Sequence, residues 1–293
     1  MNWIFLSFLS AFGQAFGWAL KKRALNNEGI NNSIGFFSFL TAGGVLFLLF
    51  FLSGEALPQV TDTFLWAAAV VIICNVLAVW AAYRALDKAA FSRLMPFVSL
   101  TALAIIPIEY VLRGILPGGL QIVGAIIVVL GTFFFSRREE FTQTDWTVVG
   151  YFSITLAAYS LSSAVMGVAV AASGSGLFTA TVLHLGIAFG FLPLLFITKE
   201  PKVLRQMKES GQFWKMFGLV MLAGLAIALL ENGPATIALE QASASEVFAL
   251  KRTMPFFALF LGVIMFKEKI TWRHATGTFL LVLGSVLIVW QNL

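Results

Sequence analysis

Lys251 and Arg252 stand side by side inside Ser243–Phe266, a largely apolar run long enough to cross a bilayer. A basic side chain at the centre of a spanning helix costs about 2.5–3.5 kcal/mol on insertion scales. Two adjacent ones cannot both face lipid, so they must face protein or a wet cavity. Arg offers a planar fork of donors and Lys a mobile point charge. Together they make a cationic anchor for a carboxylate or a phosphate. The plainer alternative is a structural ion pair, with Glu231 or Glu246 as partner, or snorkelling to an interface. Successive helical residues point about 100° apart, so both cations can border one cavity without pointing the same way.

Glu231 precedes Asn232-Gly233-Pro234 in the run Phe213–Thr236. Pro234 interrupts the backbone ladder there, and carbonyls freed in this way can line a cavity. A carboxyl at that place serves as a proton-coupling site or an amine ligand, or else lies ion-paired or interfacial. His184 lies near the middle of its run and can titrate, bond a substrate or donate to a neighbouring backbone. Tyr159, Asn75 and Gln14 lie at similar depth in three further runs. Taken singly, each is well explained as glue between helices, at about 0.6 kcal/mol. Taken together they indicate a polar interior. The candidate substrate-binding set is therefore Lys251, Arg252, His184, Tyr159, Glu231, Asn75 and Gln14. Glu109 and Tyr110 lie in the outer quarter of their run and read as interfacial.

Other chemistries find no residues. The lone Cys74 excludes an intramolecular disulfide and a multi-cysteine metal site, and within its apolar run it reads as a small buried hydrophobe. No P-loop, Gly-x-Ser-x-Gly, His-Glu-x-x-His or Cys-x-x-Cys is present. The expectation is a protein that is not an enzyme and holds no metal and no cofactor.

The elements that must position these side chains follow from hydrophobicity. Only 11% of the 293 residues are charged and 59% are hydrophobic, whereas soluble chains run at about one quarter charged. Spanning helices need about 20 mostly apolar residues. Ten such runs are present: Trp3–Leu20, Ser33–Ser53, Thr63–Tyr83, Arg93–Leu112, Gly118–Ser136, Trp146–Ala172, Gly176–Thr198, Phe213–Thr236, Ser243–Phe266 and Thr271–Trp290. None alternates as a barrel strand would. The fold class expected is an all-α membrane protein of ten transmembrane helices. Lys199 to Gln212 reads as either a short interfacial helix or a plain loop. Gly13-x-x-x-Gly17 and Gly186-x-x-x-Gly190 permit close helix contact, within the chain or in a dimer.

All nineteen Lys and Arg except Arg113, Lys251 and Arg252 fall in the gaps after the first, third, fifth, seventh and ninth runs. The positive-inside rule puts those gaps in the cytoplasm and both termini outside. The net charge of +5 thus reflects membrane topology, and no nucleic-acid partner is expected.

The two halves superimpose at an offset of 153 residues. Ala85-Leu86 falls on Ala238-Leu239, Gly124 on Gly277 and Gly131 on Gly284, and both halves end a third helix on Ala-Leu-acidic. Since five is odd, a duplicated five-helix unit enters the membrane from opposite sides in its two copies. Such an inverted repeat is the architecture of many secondary transporters, with a site near the midplane between the halves. The expected division is residues 1–136 and 146–291, joined by 137–145.

At Ser243-Ala-Ser-Glu-Val-Phe-Ala-Leu-Lys-Arg-Thr-Met-Pro255, Leu261 to Lys269 and Gly277 to Gly284, with a first-half counterpart from Ser92 to Gly131, the chain resembles the drug/metabolite transporter superfamily in its EamA-like form. The resemblance implies a 5+5 inverted repeat and a carrier or exporter with a central cavity lined by both halves. The Lys-Arg pair is similar to one carried by the phosphate-translocating branch of that superfamily, which makes Lys251 and Arg252 the implied anion ligands. The resemblance also implies cytoplasmic termini, against the charge count, which we follow. The function expected is secondary active transport of a small polar, anionic or zwitterionic metabolite across the cytoplasmic membrane by alternating access. Protons or a counter-substrate would be the coupling partners, and the lipid bilayer the surroundings of a monomer or homodimer. The alternative is a flippase or exporter of a phosphorylated lipid or amphiphile.

Overall fold

The computed structural model describes residues 2–25, 30–88, 98, 100–114, 118–135, 146–209, 211–267 and 269–290. Among these residues there are helices and connecting turns and no strand. In chain order the helices are α1 (Trp3–Ala24), α2 (Asn31–Ser53), α3 (Asp62–Lys88), α4 (Thr101–Arg113), α5 (Gly119–Phe135), α6 (Trp146–Ser173), α7 (Gly176–Ile197), α8 (Glu200–Glu209), α9 (Gln212–Ala226), a π-helical segment (Ile227–Asn232), α10 (Gly233–Leu239), α11 (Ala244–Lys251), α12 (Met254–Phe266) and α13 (Trp272–Val289). Backbone groups in hydrocarbon must be satisfied within the segment, and the helix does this.

Among the described residues, seven helical rods are long and apolar enough to cross a membrane, and three shorter apolar helices fall on the remaining apolar runs. One of these runs, Arg93–Leu112, begins outside the described residues, apart from Val98 and the stretch from Leu100. Two helices outrun their apolar stretch. α1 continues through Lys21, Lys22 and Arg23, and α3 through Arg84 and Lys88, so these gap cations are helical. Lys199–Gln212 resolves into the helix α8, whose Met207 is buried and whose Val203 and Leu204 pack on the core.

Two runs expected to be continuous are interrupted, in each case by proline. Between α9 and α10 the chain takes a π-helical turn before Pro234, one of the few ways a helix absorbs a lost N–H without breaking. Between α11 and α12 the helix stops at Lys251, turns through Arg252 and Thr253, and restarts at Met254-Pro255. A proline ring clashes with the carbonyl four residues back, and four residues before Pro255 stands Lys251.

The rods pair antiparallel. In α3–α6, the Asn75 amide donates to Ser162 Oγ at 2.5 Å, the Thr155 hydroxyl to the Ala78 carbonyl at 3.3 Å, and Trp80 meets Tyr151 edge-on at 5.7 Å. In α2–α7, Gly35 faces Phe191 and Gly43 faces Leu185. In α5–α13, a Cβ on Gly124 would lie 2.5 Å from the Gly284 carbonyl, and one on Gly131 would lie 2.9 Å from that of Gly277. Each glycine of one repeat thus meets the counterpart of its fellow, as two copies related by a two-fold axis would. The other neighbours obey the same exchange. α3–α6 matches α1 against the α9–α10 rod, α4–α6 matches α1 against α11 and α12, and α3–α7 matches α9–α2. Gly13 and Gly17 approach Leu230 and Ala223, while Gly186 and Gly190 approach Ile72 and Val76, so both small-residue motifs serve packing within the chain.

Candidate functional site

The break after α11 decides where the cations go. Lys251 ends the helix and Arg252 caps it, and both are almost fully buried, at 3% and 2% exposure. Both border one interior cavity, with the Phe248 ring 5.6 Å from the Lys251 ammonium and 5.9 Å from the Arg252 guanidinium. Of the seven candidates, Lys251, Arg252, Glu231, Tyr159, Asn75 and Gln14 line this cavity. α1, α2 and α3 contribute from one side, and α6, the π-helical segment and α11 from the other, so both halves build it.

Lys251 Nζ lies 3.2 Å from Glu231 Oε1 and donates to Asn232 Oδ1, also at 3.2 Å. Glu231, not Glu246, is its ionic partner. Glu246 instead completes the capping box of α11 with Ser243. The π turn sets Glu231 and Asn232 next to each other on the cavity wall, so one ammonium reaches both. A buried pair of this kind is roughly neutral against an apolar replacement, but removing one partner costs about 3–5 kcal/mol, because the other charge is left without compensation.

His184 does not line the cavity. It stands one layer behind, where its Nδ1 donates to the Ala180 carbonyl at 2.6 Å, which leaves Nε2 to accept from the Asn232 amide at 2.9 Å. His184 therefore orients Asn232, and through it Lys251. Glu109, expected at an interface, is buried. Its carboxylate accepts from the Ala244 and Ser245 amides, at 3.1 and 3.0 Å, and so holds the start of α11. The α4 helix keeps this carboxylate inside because four orphan N–H groups at a helix start need an acceptor. Tyr110, its neighbour, is exposed, and Cys74 is half-buried.

Sequence reading missed Lys21, which hydropathy assigns to a cytoplasmic gap. It is 3% exposed and lines the same cavity. Its ammonium lies 4.9 Å from the Trp18 ring centre, 4.8 Å from Phe39 and 5.9 Å from Tyr83. Desolvated cation–π contacts contribute about 2 kcal/mol or more. The signal was the apolar spacing of Leu20, Ala24 and Leu25, all buried, which carries α1 past its basic triplet. Ser162, Ser163 and Asn232 also border the cavity. Gln14 presents a buried Oε1 that accepts no hydrogen bond among the described residues. The described lining thus holds three cations and one carboxylate. The cavity volume is about 40 Å³, counted as room for water centres. That is well below the roughly 300–1,000 Å³ of pockets that enclose a drug-sized ligand.

Among the described residues no cluster of His, Cys, Asp and Glu could hold a metal ion. Comparison with solved structures finds 27 matching chains. One of them, a crystal structure of a protein 12% identical, superimposes with TM-score 0.68 over 97% of this chain and 98% of that one. It shares the fold. No curated protein matches in sequence. The sequence model of the EamA-like transporter family matches residues 1–137 and 148–290, nearly the whole chain, and the chain belongs to that family.

Proposed function

We propose that this multi-pass membrane transporter works by alternating access, moving a small anionic metabolite held between its two halves. The reading treats the chain as ten spans in two oppositely inserted five-helix repeats, 1–136 and 146–291. Both termini lie outside the cytoplasm, as the charge distribution requires. One observation carries it: a helix breaks at Lys251-Arg252 and turns both buried cations into a cavity shared by the halves. Broken helices at the repeat interface are where carriers of this architecture bind cargo. Rocking of the halves about the α2–α7 and α5–α13 contacts would widen the chamber toward one membrane face and then the other. Arg252 would take the anionic group, and Lys251 would join when the group displaces Glu231.

The test begins with a thermal-shift screen of the purified protein against amino acids, organic acids, phosphorylated sugars and nucleotide sugars. A ligand that binds only the folded form raises the midpoint. Proteoliposome uptake of the radiolabelled hit should then be lost in Lys251→Gln/Arg252→Gln, while size-exclusion profiles stay monodisperse. Full uptake by that double variant would overturn the assignment of the anion site.

A further inference from the structure

Lys21 differs from the other buried lysine in one respect that bears on cargo. Lys251 donates to a carboxylate and to an amide. Lys21 meets only the faces of Trp18, Phe39 and Tyr83 and has no hydrogen-bond acceptor or ion pair among the described residues. Ring faces attract its charge but do not take up three N–H donors in directed bonds. Glu231 is the one carboxylate among the described residues of the cavity wall, and it already holds Lys251. Glu231 acts on the Lys21 ammonium only at a distance, so among the described residues no anion touches it directly.

The geometry points to Lys21 as a second anion pole, so that the cargo carries two separated negative groups, one for Lys21 and one for the Lys251–Arg252 wall. This rests on the anion-carrier reading above and narrows it from anionic solutes in general to dianions. Charge arithmetic favours the same class. Three cations and one carboxylate leave two positive charges, which a dianion neutralises and a zwitterion leaves in place. The two poles come from different halves, Lys21 from α1 and the pair from the α11–α12 break. A ligand spanning them would draw the halves together around itself, whereas a monoanion would engage one half alone.

The experiment uses the purified full chain and two probe series: straight dicarboxylates and phosphonocarboxylates of two to six carbons, each set against the monocarboxylate of equal length. Affinity is read by calorimetry. The expected result is one span at which the dianion binds about ten- to a hundredfold tighter than its monoanion, the range for a charged hydrogen bond. Lys21→Met should abolish that preference, and Lys21→Arg should restore part of it. Arg252→Gln should weaken both ligands alike. If the wild type does not discriminate, or if Lys21→Met still does, the second pole is overturned while the anion cavity stands. If no probe binds and Arg252→Gln leaves transport intact, the anion-carrier reading falls as well. Equal preference for dicarboxylates and phosphonocarboxylates supports a charge-only pole. Preference for the phosphonates supports the same pole and assigns the more highly charged group to it.

Discussion

The two ends of the α2–α7 pair are closed by the same kind of group in very different surroundings. At the end holding the start of α2, the Glu200 carboxylate is buried and accepts from Asn32 N, Asn32 Nδ2 and Thr198 Oγ1 with one oxygen. With the other it accepts from Ser33 N and Ser33 Oγ, both at 2.6 Å. Lys199, in the left-handed region at φ 59°, turns the chain so that Glu200 reaches back. Asp87 supports this end by accepting from Asn31 Nδ2 at 2.5 Å. At the opposite end Glu240, the repeat counterpart of Asp87, accepts from Gly176 N, and Glu55 accepts from Ser175 Oγ at 2.6 Å. Both of those carboxylates are exposed. A carboxylate clasp stands at each end, but only Glu200 is dry, since Asp87, Glu240 and Glu55 are all exposed. A dry, five-bonded carboxylate resists opening, because each donor it releases would lie buried and unpaired. The wet clasp can exchange its bonds for water. The α2–α7 pair is therefore held firmly at the end where α2 starts and more loosely at the other.

Removing the dry clasp should have the largest effect. Glu200→Ala leaves the Asn32 and Ser33 amides without their acceptor and should lower stability by about 3 kcal/mol or more, read as a fall in the thermal midpoint in detergent. A shift under one degree would show the two ends to be equivalent. Glu240→Ala removes one helix-start acceptor in contact with water, with an expected loss of about 1 kcal/mol. The ratio of these two losses is the sharpest measure of the asymmetry. Glu55→Ala should fall below about 1 kcal/mol, as exposed polar pairs do, and any transport change it causes should appear in rate before stability. Hydrogen exchange offers a check without mutation: the Ser33 amide should exchange far more slowly than that of Gly176, and equal rates would contradict the comparison.

Much of this was open to reading from the chain alone. The apolar runs, the Ala-Leu-acidic repeat and the paired glycines of α5 and α13 are properties of composition and spacing, and a bilayer permits helices almost exclusively as their outcome. Lys251 and Arg252 announced themselves because a charge inside an apolar run must be compensated by something. Lys21 and Glu200 gave no such sign. Each sits beside other charges at the end of a run, where hydropathy predicts water. Their burial was decided by groups far away in the chain: Phe39 and Tyr83 closing on one, and Asn32 and Ser33 presenting donors to the other. A charge at a helix end goes to solvent or inward according to what neighbouring helices bring to it. That is settled only when those helices pack.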